Sequence, residues 1–213
     1  AAALCFAICL FSAGCRSASL VELRSSPSNP LSERLALTAR GGPRPSARTM
    51  QLLRRFDLAG RWDAGQQNAL PALLEVYENE PTAETCFALA ELNYVAAKRG
   101  ELRDHNRALA LYWNSVVHSY TYLFDPKFDP VRNPYDPEFR RACDLYNTAL
   151  ESCLRITRSE GRFRPGESVT FTVDDQQIDV TIEAKDFNWS PDEFDHVEFV
   201  SDYRGKGVKK LYR

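Results

Sequence analysis

The chain has 213 residues, 44% of them hydrophobic, and its 27 basic residues nearly balance its 29 acidic residues. This length is enough for one domain with a good core, or for one domain with a small appendage. Charges of neither sign form a long run, so the sequence shows no electrostatic footprint for nucleic acid or for an anionic membrane surface. Nucleic acid is therefore not an expected partner.

The amino-terminal residues have the pattern of a secretory signal. Residues 1–13 form an apolar run that is shorter than the roughly 20 residues needed to span a bilayer, as in the hydrophobic part of a signal peptide. The run leads into Ser12-Ala13-Gly14-Cys15, which resembles the lipobox of bacterial lipoproteins, although Leu is usual where Ser12 stands. This resemblance implies a signal peptide over residues 1–14 and a lipid on the thiol of Cys15. A plain secretory signal is the alternative.

The signal places the expected protein in a bacterial cell envelope, with its folded part in the periplasm and its lipid in a membrane. Residues 15–45 are rich in Ser, Pro, Arg and Gly. Because they offer little apolar surface to bury, they predict a flexible tether between the lipid and the folded part. Residues 32–38 could form a short helix within this tether.

Residues 46–160 carry apolar side chains at helical spacing and predict a helical bundle. Helix starts are expected at Ser46, at Asn68 with Pro71 in the first turn, at Thr82, at Asp104 and at Asp136. The helix over 104–124 should bury one stripe: Leu109, Tyr112, Trp113, Val116, Val117, Tyr120, Leu123 and Phe124. The helix over 136–158 repeats these offsets with Phe139, Ala142, Cys143, Tyr146, Ala149, Leu150, Cys153 and Leu154. The two helices should therefore share a core.

Part of this bundle resembles the tetratricopeptide pattern of large, small and aromatic residues. The matching residues are Phe87, Ala90, Glu91 and Tyr94, followed by Ala108, Tyr112 and Ser115. The last three recur after the tetratricopeptide period as Ala142, Tyr146 and Ala149. A proline-rich loop over 125–137 replaces the helix that should precede this second set. The sequence therefore predicts degenerate helical hairpins and not a solenoid.

After Gly161 the apolar residues alternate, as in β-strands. Val169, Phe171 and Val173 precede a turn over 174–177, and Ile178, Val180 and Ile182 follow it. The resulting hairpin has one apolar face, which must pack on the helices or on further chain because a lone hairpin is marginally stable. The predicted fold class is thus α+β: a mostly α-helical bundle with tetratricopeptide-like hairpins, followed over 161–213 by an antiparallel hairpin and a connector to a downstream domain.

The sequence predicts no catalytic, cofactor or metal site. Gly166-Glu167-Ser168 lacks the second glycine of the G-x-S-x-G hydrolase motif. The three histidines, His105, His118 and His196, are dispersed. The acids of the loop over 125–137 lack the Gly and Glu spacing of a calcium-binding EF-hand loop.

Three cysteines fall in the predicted bundle. Cys143 and Cys153 lie ten residues apart on one predicted helix, which separates them by about 15 Å and excludes a disulfide between them. Cys86, Cys143 and Cys153 all occupy apolar helical positions, so we expect small core residues. A bridge from Cys86 to one of the others is the alternative.

Five segments of the chain resemble the amino-terminal region of a group of bacterial lipid-anchored α/β-hydrolase-fold proteins. They are LAGRWD at 58–63, FALAEL at 87–92, YTYLFDP at 120–126, YDP at 135–137 and ACDLYN at 142–147. In that group a helical region and a β-rich connector precede the catalytic domain, and residues 197–213 look like the connector.

The resemblance implies that the full-length protein is an esterase-like or lipase-like serine hydrolase whose catalytic triad lies beyond Arg213. This chain would then be its non-catalytic accessory region, with the downstream domain as its partner. The alternative is a complete envelope lipoprotein that binds another protein through its tetratricopeptide-like helices.

Overall fold

The structure is a computed structural model that describes residues 29–159, 168–173 and 176–181. The predicted signal peptide, Cys15 and the predicted connector after residue 181 lie outside the described residues. The described helices are α1 (Ala47–Arg55), α2 (Ala59–Ala64), α3 (Gln66–Asn79), α4 (Ala83–Gly100), α5 (His105–Phe124) and α6 (Pro137–Ser159), with a short 3₁₀ turn at Pro126–Phe128. Strands β1 (Ser168–Val173) and β2 (Gln176–Thr181) follow. The predicted fold class is confirmed.

Helix α4 is the centre of the bundle. Every residue from Thr85 to Ala97 is buried, because α1, α3, α5 and α6 all contact this helix. Thr82 begins it as predicted: the Thr82 hydroxyl accepts a hydrogen bond from the Thr85 N–H at 3.1 Å, and the Thr85 hydroxyl accepts one from the Thr82 N–H at 3.2 Å. This reciprocal cap satisfies two backbone donors that a helix start leaves free.

Helices α5 and α6 also begin where the sequence predicts. The Asp104 carboxylate accepts a hydrogen bond from the Arg107 N–H at 3.0 Å, and the Asp136 carboxylate accepts one from the Glu138 N–H at 2.8 Å. The small and aromatic residues at the tetratricopeptide-like positions Ala108, Tyr112, Ser115, Ala142 and Ala149 are all buried. Helices α4, α5 and α6 therefore share the predicted core.

The first helices differ from the prediction at two breaks. Helix α1 ends at Arg55, Asp57 adopts a left-handed conformation with φ 56°, and Trp62 lies in a further short helix, α2. Gly65, at φ 154°, separates α2 from α3 in a conformation that favours glycine. Helix α3 therefore starts before Asn68, and Pro71 lies inside it.

The predicted buried stripe of α5 is wrong at Tyr120 and Phe124, although Leu123 between them is buried. Tyr120 is 54% exposed and Phe124 is 56% exposed, whereas Ser119 and Tyr122 are buried. The Tyr122 ring packs edge-on against Phe87 of α4, with ring centroids 5.6 Å apart. The buried face of α5 thus follows the close contact with α4, and two large aromatic side chains are left on the surface.

The predicted tether is also wrong over residues 29–45, which we call the strap. Leu31 and Leu35 are buried, at 2% and 1% exposure. The Asn29 side-chain amide donates a hydrogen bond to the Tyr94 hydroxyl at 2.9 Å, and the Arg99 Nε donates one to the Pro43 carbonyl at 2.7 Å. Two leucines in a polar segment are enough to hold it on α4, and the strap forms turns instead of the helix considered over 32–38.

The β-hairpin forms in the predicted register, with Val169 opposite Val180 and Phe171 opposite Ile178. The predicted turn was too long, because Gln176 and Gln177 already belong to β2. Strand β1 contacts α5, and Val180 is partly buried against the core of the bundle. Packing of the hairpin on the helices, one of the two expectations for its apolar face, is therefore observed at Val180.

Cys86, Cys143 and Cys153 are free thiols, as expected for core residues. Cys86 and Cys153 are fully buried, and Cys143 is half-buried. The Cys86 thiol donates a hydrogen bond to the backbone carbonyl of His118 at 3.3 Å.

We expect Leu35→Ala to lower the free energy of unfolding by about 3 kcal/mol, because it leaves a cavity between the strap and the bundle. Leu102→Ala is the matched control, since Leu102 is 96% exposed, and it should change that free energy by less than about 0.5 kcal/mol. Urea denaturation of the two variants checks this. Equal stabilities would mean that the strap does not pack on the bundle.

Candidate functional site

A cleft of about 530 Å³ lies between α2, α3 and the turn that joins α4 to α5. It is lined by Trp62, Asp63, Ala64, Gly65, Asn68, Ala96, Arg99, Gly100, Arg103, Asp104, Arg107, Ala108 and Leu111. Three arginines face it, so we call it the arginine cleft.

The three arginines reach the cleft because they are spaced by four residues across the end of α4 and the start of α5. Arg99 lies in the last turn of α4, Arg103 in the connecting turn and Arg107 in the first turn of α5. The Arg99 guanidinium lies over the buried Trp62 ring, 5.3 Å from its centroid, and its Nε donates to the Pro43 carbonyl at 2.7 Å. Arg99 is thus fixed by the strap and by α2, whereas Arg103 is exposed.

Like charges crowd this end of the bundle. Burial lowers the pKa of Arg99, and the neighbouring Arg44 lowers it further, while Asp63 acts in the opposite direction. An arginine keeps its proton at neutral pH even so. A guanidinium cluster of this kind can bind phosphate or carboxylate groups through charge-assisted hydrogen bonds.

A partly buried ionic network supports the turn at the rim of this cleft. Glu101 accepts hydrogen bonds from the Tyr112 hydroxyl at 2.7 Å, from Lys98 at 2.9 Å and from Arg155 at 2.6 Å. Burial raises the pKa of Glu101, but the charge and hydrogen bond of Lys98, followed by Tyr112 and Arg155, lower it to about 2. Glu101 therefore joins the α4–α5 turn to α6 as a carboxylate.

A second surface feature is formed by two exposed aromatic side chains of α5, Tyr120 and Phe124, and by the partly buried Tyr146 of α6. The Tyr120 ring lies 4.8 Å from the Phe124 ring and 6.2 Å from the Tyr146 ring, measured between centroids. We call these three residues the aromatic face. Large apolar side chains grouped on a surface mark a site of interaction with another molecule.

One group of side chains inside the bundle has the residue types of a catalytic centre. Cys86, His118, Tyr77 and Lys127 lie close together: the Tyr77 ring meets the His118 ring edge-on at 5.8 Å, and Lys127 donates to the Tyr77 hydroxyl at 3.1 Å. However, burial raises the pKa of the Cys86 thiol to about 12, although Tyr77 and Lys127 act to lower it. A protonated, fully buried thiol is not a nucleophile.

The other sequence candidates do not converge in the described part of the chain. His105 begins α5 and His118 lies about 20 Å further along the same helix. Ser168 begins β1, where its hydroxyl lies 2.7 Å from the Thr181 hydroxyl on β2. His196 and the proposed lipidation site, Cys15, are outside the described residues.

The acids of the loop over 125–137 serve the loop itself. Asp125 caps the 3₁₀ turn through the Lys127 N–H, Asp129 pairs with Arg132, and Asp136 caps α6. Within residues 29–159 and the two strands, no three His, Cys, Asp or Glu side chains are arranged to hold a metal ion.

Sequence reasoning missed the arginine cleft and the aromatic face. The four-residue spacing of Arg99, Arg103 and Arg107 is visible in the sequence. The sequence alone did not show that the turn between α4 and α5 brings the three side chains to one cleft. The aromatic face was missed because its residues belong to a stripe that appears suited to the core.

Comparison with protein families, with curated proteins and with solved structures found no match to this chain. None of the described helices is long and apolar enough to cross a membrane. Function therefore has to be inferred from the surfaces of the bundle.

We expect Glu101→Gln to lower the free energy of unfolding by about 2 kcal/mol at pH 7, because hydrogen bonds to a charged group are lost. The folded-state pKa of Glu101 is about 2, below the usual 4.5. The stabilisation is therefore complete above pH 4.5 and disappears as the pH falls towards 2. Denaturant titrations of the parent and the variant from pH 7 to pH 2 should show that the difference between their free energies of unfolding, the gap, closes. A gap that stays constant, or an equal effect of Glu78→Gln at an exposed position, would contradict this role.

Proposed function

We propose that this chain is the non-catalytic amino-terminal region of a lipid-anchored, esterase-like or lipase-like serine hydrolase. In this proposal the lipid on Cys15 holds the protein at a membrane of the bacterial cell envelope. The aromatic face of the bundle packs against the catalytic domain, which follows in the same polypeptide and hydrolyses the ester.

The observation that carries this proposal is the exposure of aromatic residues within the segments that resemble the hydrolase group. Tyr120 and Phe124 belong to the segment 120–126, and Tyr135 belongs to 135–137; they are 54%, 56% and 94% exposed. Residues that serve only the core would be buried, as Phe87 is in the segment 87–92. Exposed aromatic rings suit a contact with another domain, because Tyr and Phe are enriched at interfaces.

The position of the hairpin also supports a contact on this side of the bundle. Strand β1 contacts α5, the helix that carries Tyr120 and Phe124, and Val180 of β2 packs against the core. The described hairpin therefore lies against the same helix as the aromatic face.

The chemistry of the described residues fits a supporting role. In the one Cys/His group that the structure describes, the thiol is buried and protonated, and the side chains that line the arginine cleft include no Ser, Thr, Cys or His. The second candidate function is a protein-binding module. It is favoured by the tetratricopeptide-like α4–α5 hairpin and by the same aromatic face, which could bind a separate protein instead.

The proposed contact can be tested by Tyr120→Ser with Phe124→Ser in the full-length polypeptide. Because both side chains are more than half exposed, the bundle itself should keep its unfolding midpoint. Limited proteolysis should separate the bundle from the catalytic domain several times faster than in the parent protein, since the interdomain contact is lost. Leu102→Ser, which removes an exposed apolar side chain elsewhere, should leave the digestion unchanged.

Digestion at the same rate in the double variant and the parent would contradict docking through the aromatic face. If the double variant instead loses a separate protein that co-purifies with the parent, the protein-binding module is the correct function.

A further inference from the structure

The arginine cleft adjoins a feature that a cleft for a small molecule would not need. Leu102 projects from the turn between α4 and α5 and is 96% exposed. Its neighbour Arg103 lines the cleft together with Arg99 and Arg107. Leu102 and the three arginines therefore lie together at one end of the bundle. We call this end the arginine end.

We propose that the arginine end binds directly to the surface of an anionic phospholipid bilayer. The arginines of the cleft bind the phosphate groups of the lipid, and Leu102 inserts between the headgroups. Basic residues next to exposed apolar side chains bind anionic interfaces by this combination of charge and apolar burial. The inference goes beyond the proposed function and does not depend on the hydrolase domain.

The two ends of the bundle differ in how their charges are paired. Helices α4 and α5 are antiparallel, so the loop after α5 lies at the opposite end from the arginine end. At that opposite end four acids have basic partners: Asp125 pairs with Lys127, Asp129 with Arg132, Asp136 with Arg48 and Glu84 with Arg55. The balanced composition gave no sign of an anionic membrane surface as a partner, because only the fold brings Arg99, Arg103 and Arg107 to one cleft.

Cations outnumber acids at the cleft. Arg99, Arg103 and Arg107 line it together with Asp63 and Asp104, and Arg44 lies near enough to Arg99 to lower the pKa of Arg99. Glu101, beside the cleft, is already paired with Lys98 and Arg155. Arg103 is exposed and therefore presents its charge to solvent.

The strap brings the amino-terminal part of the chain to the same end. Asn29, the first described residue, bonds to Tyr94 in the second half of α4, and the Pro43 carbonyl accepts from Arg99 in its last turn. Thirteen residues separate Cys15 from Asn29, so the two are at most about 50 Å apart when the chain is extended. A lipid on Cys15 would therefore keep the arginine end within reach of the bilayer.

The test is sedimentation of the full 213-residue chain, without its lipid, with two kinds of vesicle. One kind contains phosphatidylcholine alone, and the other also contains phosphatidylglycerol. Residues 1–28 are the same in every variant, so their own binding cancels when variants are compared. Leu102→Ser with Arg103→Glu should lower the affinity for the anionic vesicles by about tenfold, and binding of the parent should weaken as salt is raised.

The matched control is Tyr135→Ser with Arg54→Glu, which makes the same change in charge and removes an exposed aromatic side chain. Tyr135 is 94% exposed and lies in the loop at the opposite end. Arg54 is exposed in the last turn of α1, next to Arg55, which pairs with Glu84. This variant should bind the anionic vesicles as the parent does. Equal losses in both variants would show a general charge effect and overturn the proposal.

Competition separates a membrane surface from a soluble ligand. Inorganic phosphate and glycerophosphoglycerol, at millimolar concentration and constant ionic strength, should not displace the chain from anionic vesicles, because neither offers an apolar layer for Leu102. Displacement by either compound would overturn the proposal in favour of a small anion in the cleft. Parent binding that does not distinguish the two kinds of vesicle would also overturn it.

Discussion

The burial of α4 is the constraint on which the rest of the structure depends. Because every residue from Thr85 to Ala97 is buried, the helix needs partners on all sides, and α1, α3, α5, α6 and the strap supply them. It even includes a carboxylate, Glu91, which is 1% exposed. Its Oε1 accepts the Ser46 N–H at 2.5 Å. Burial raises the pKa of Glu91, while hydrogen bonds from Ser46 and Thr49 lower it. A buried carboxylate needs hydrogen-bond donors, and here residues at the start of α1 supply them.

Because the interior of the bundle is filled by one helix and its contacts, we look for function on the surfaces of the bundle. Two surfaces differ in chemistry: the arginine end carries cations and Leu102, and the aromatic face carries Tyr120, Phe124 and Tyr146. The first suits a charged, layered partner such as a bilayer, and the second suits a packed protein surface. In our two proposals the bundle is a spacer between a membrane and a catalytic domain, with one surface for each.

The sequence predicted those elements that local chemistry determines. Thr82, Asp104 and Asp136 begin helices because their side chains cap backbone N–H groups, and alternation was enough for the hairpin. Prediction from the sequence failed where tertiary packing decides which residues are buried. Leu31 and Leu35 lie among polar residues, so their burial depends on a groove that only the folded bundle provides. Tyr120 and Phe124 have helical spacing but lie beyond the contact with α4. The arginine cleft needed the antiparallel turn between α4 and α5, which brings Arg99 and Arg107 to one side.

The most direct test of the proposed hydrolase is to isolate the native protein with an antibody against the bundle and to treat it with a fluorophosphonate. Such a probe bonds to the activated serine of serine hydrolases. The proposed function predicts one labelled polypeptide that is well above the 24.2 kDa of this chain and that loses the label when its ester substrate site is blocked first. A native protein of about this mass that takes up no label would contradict the proposal.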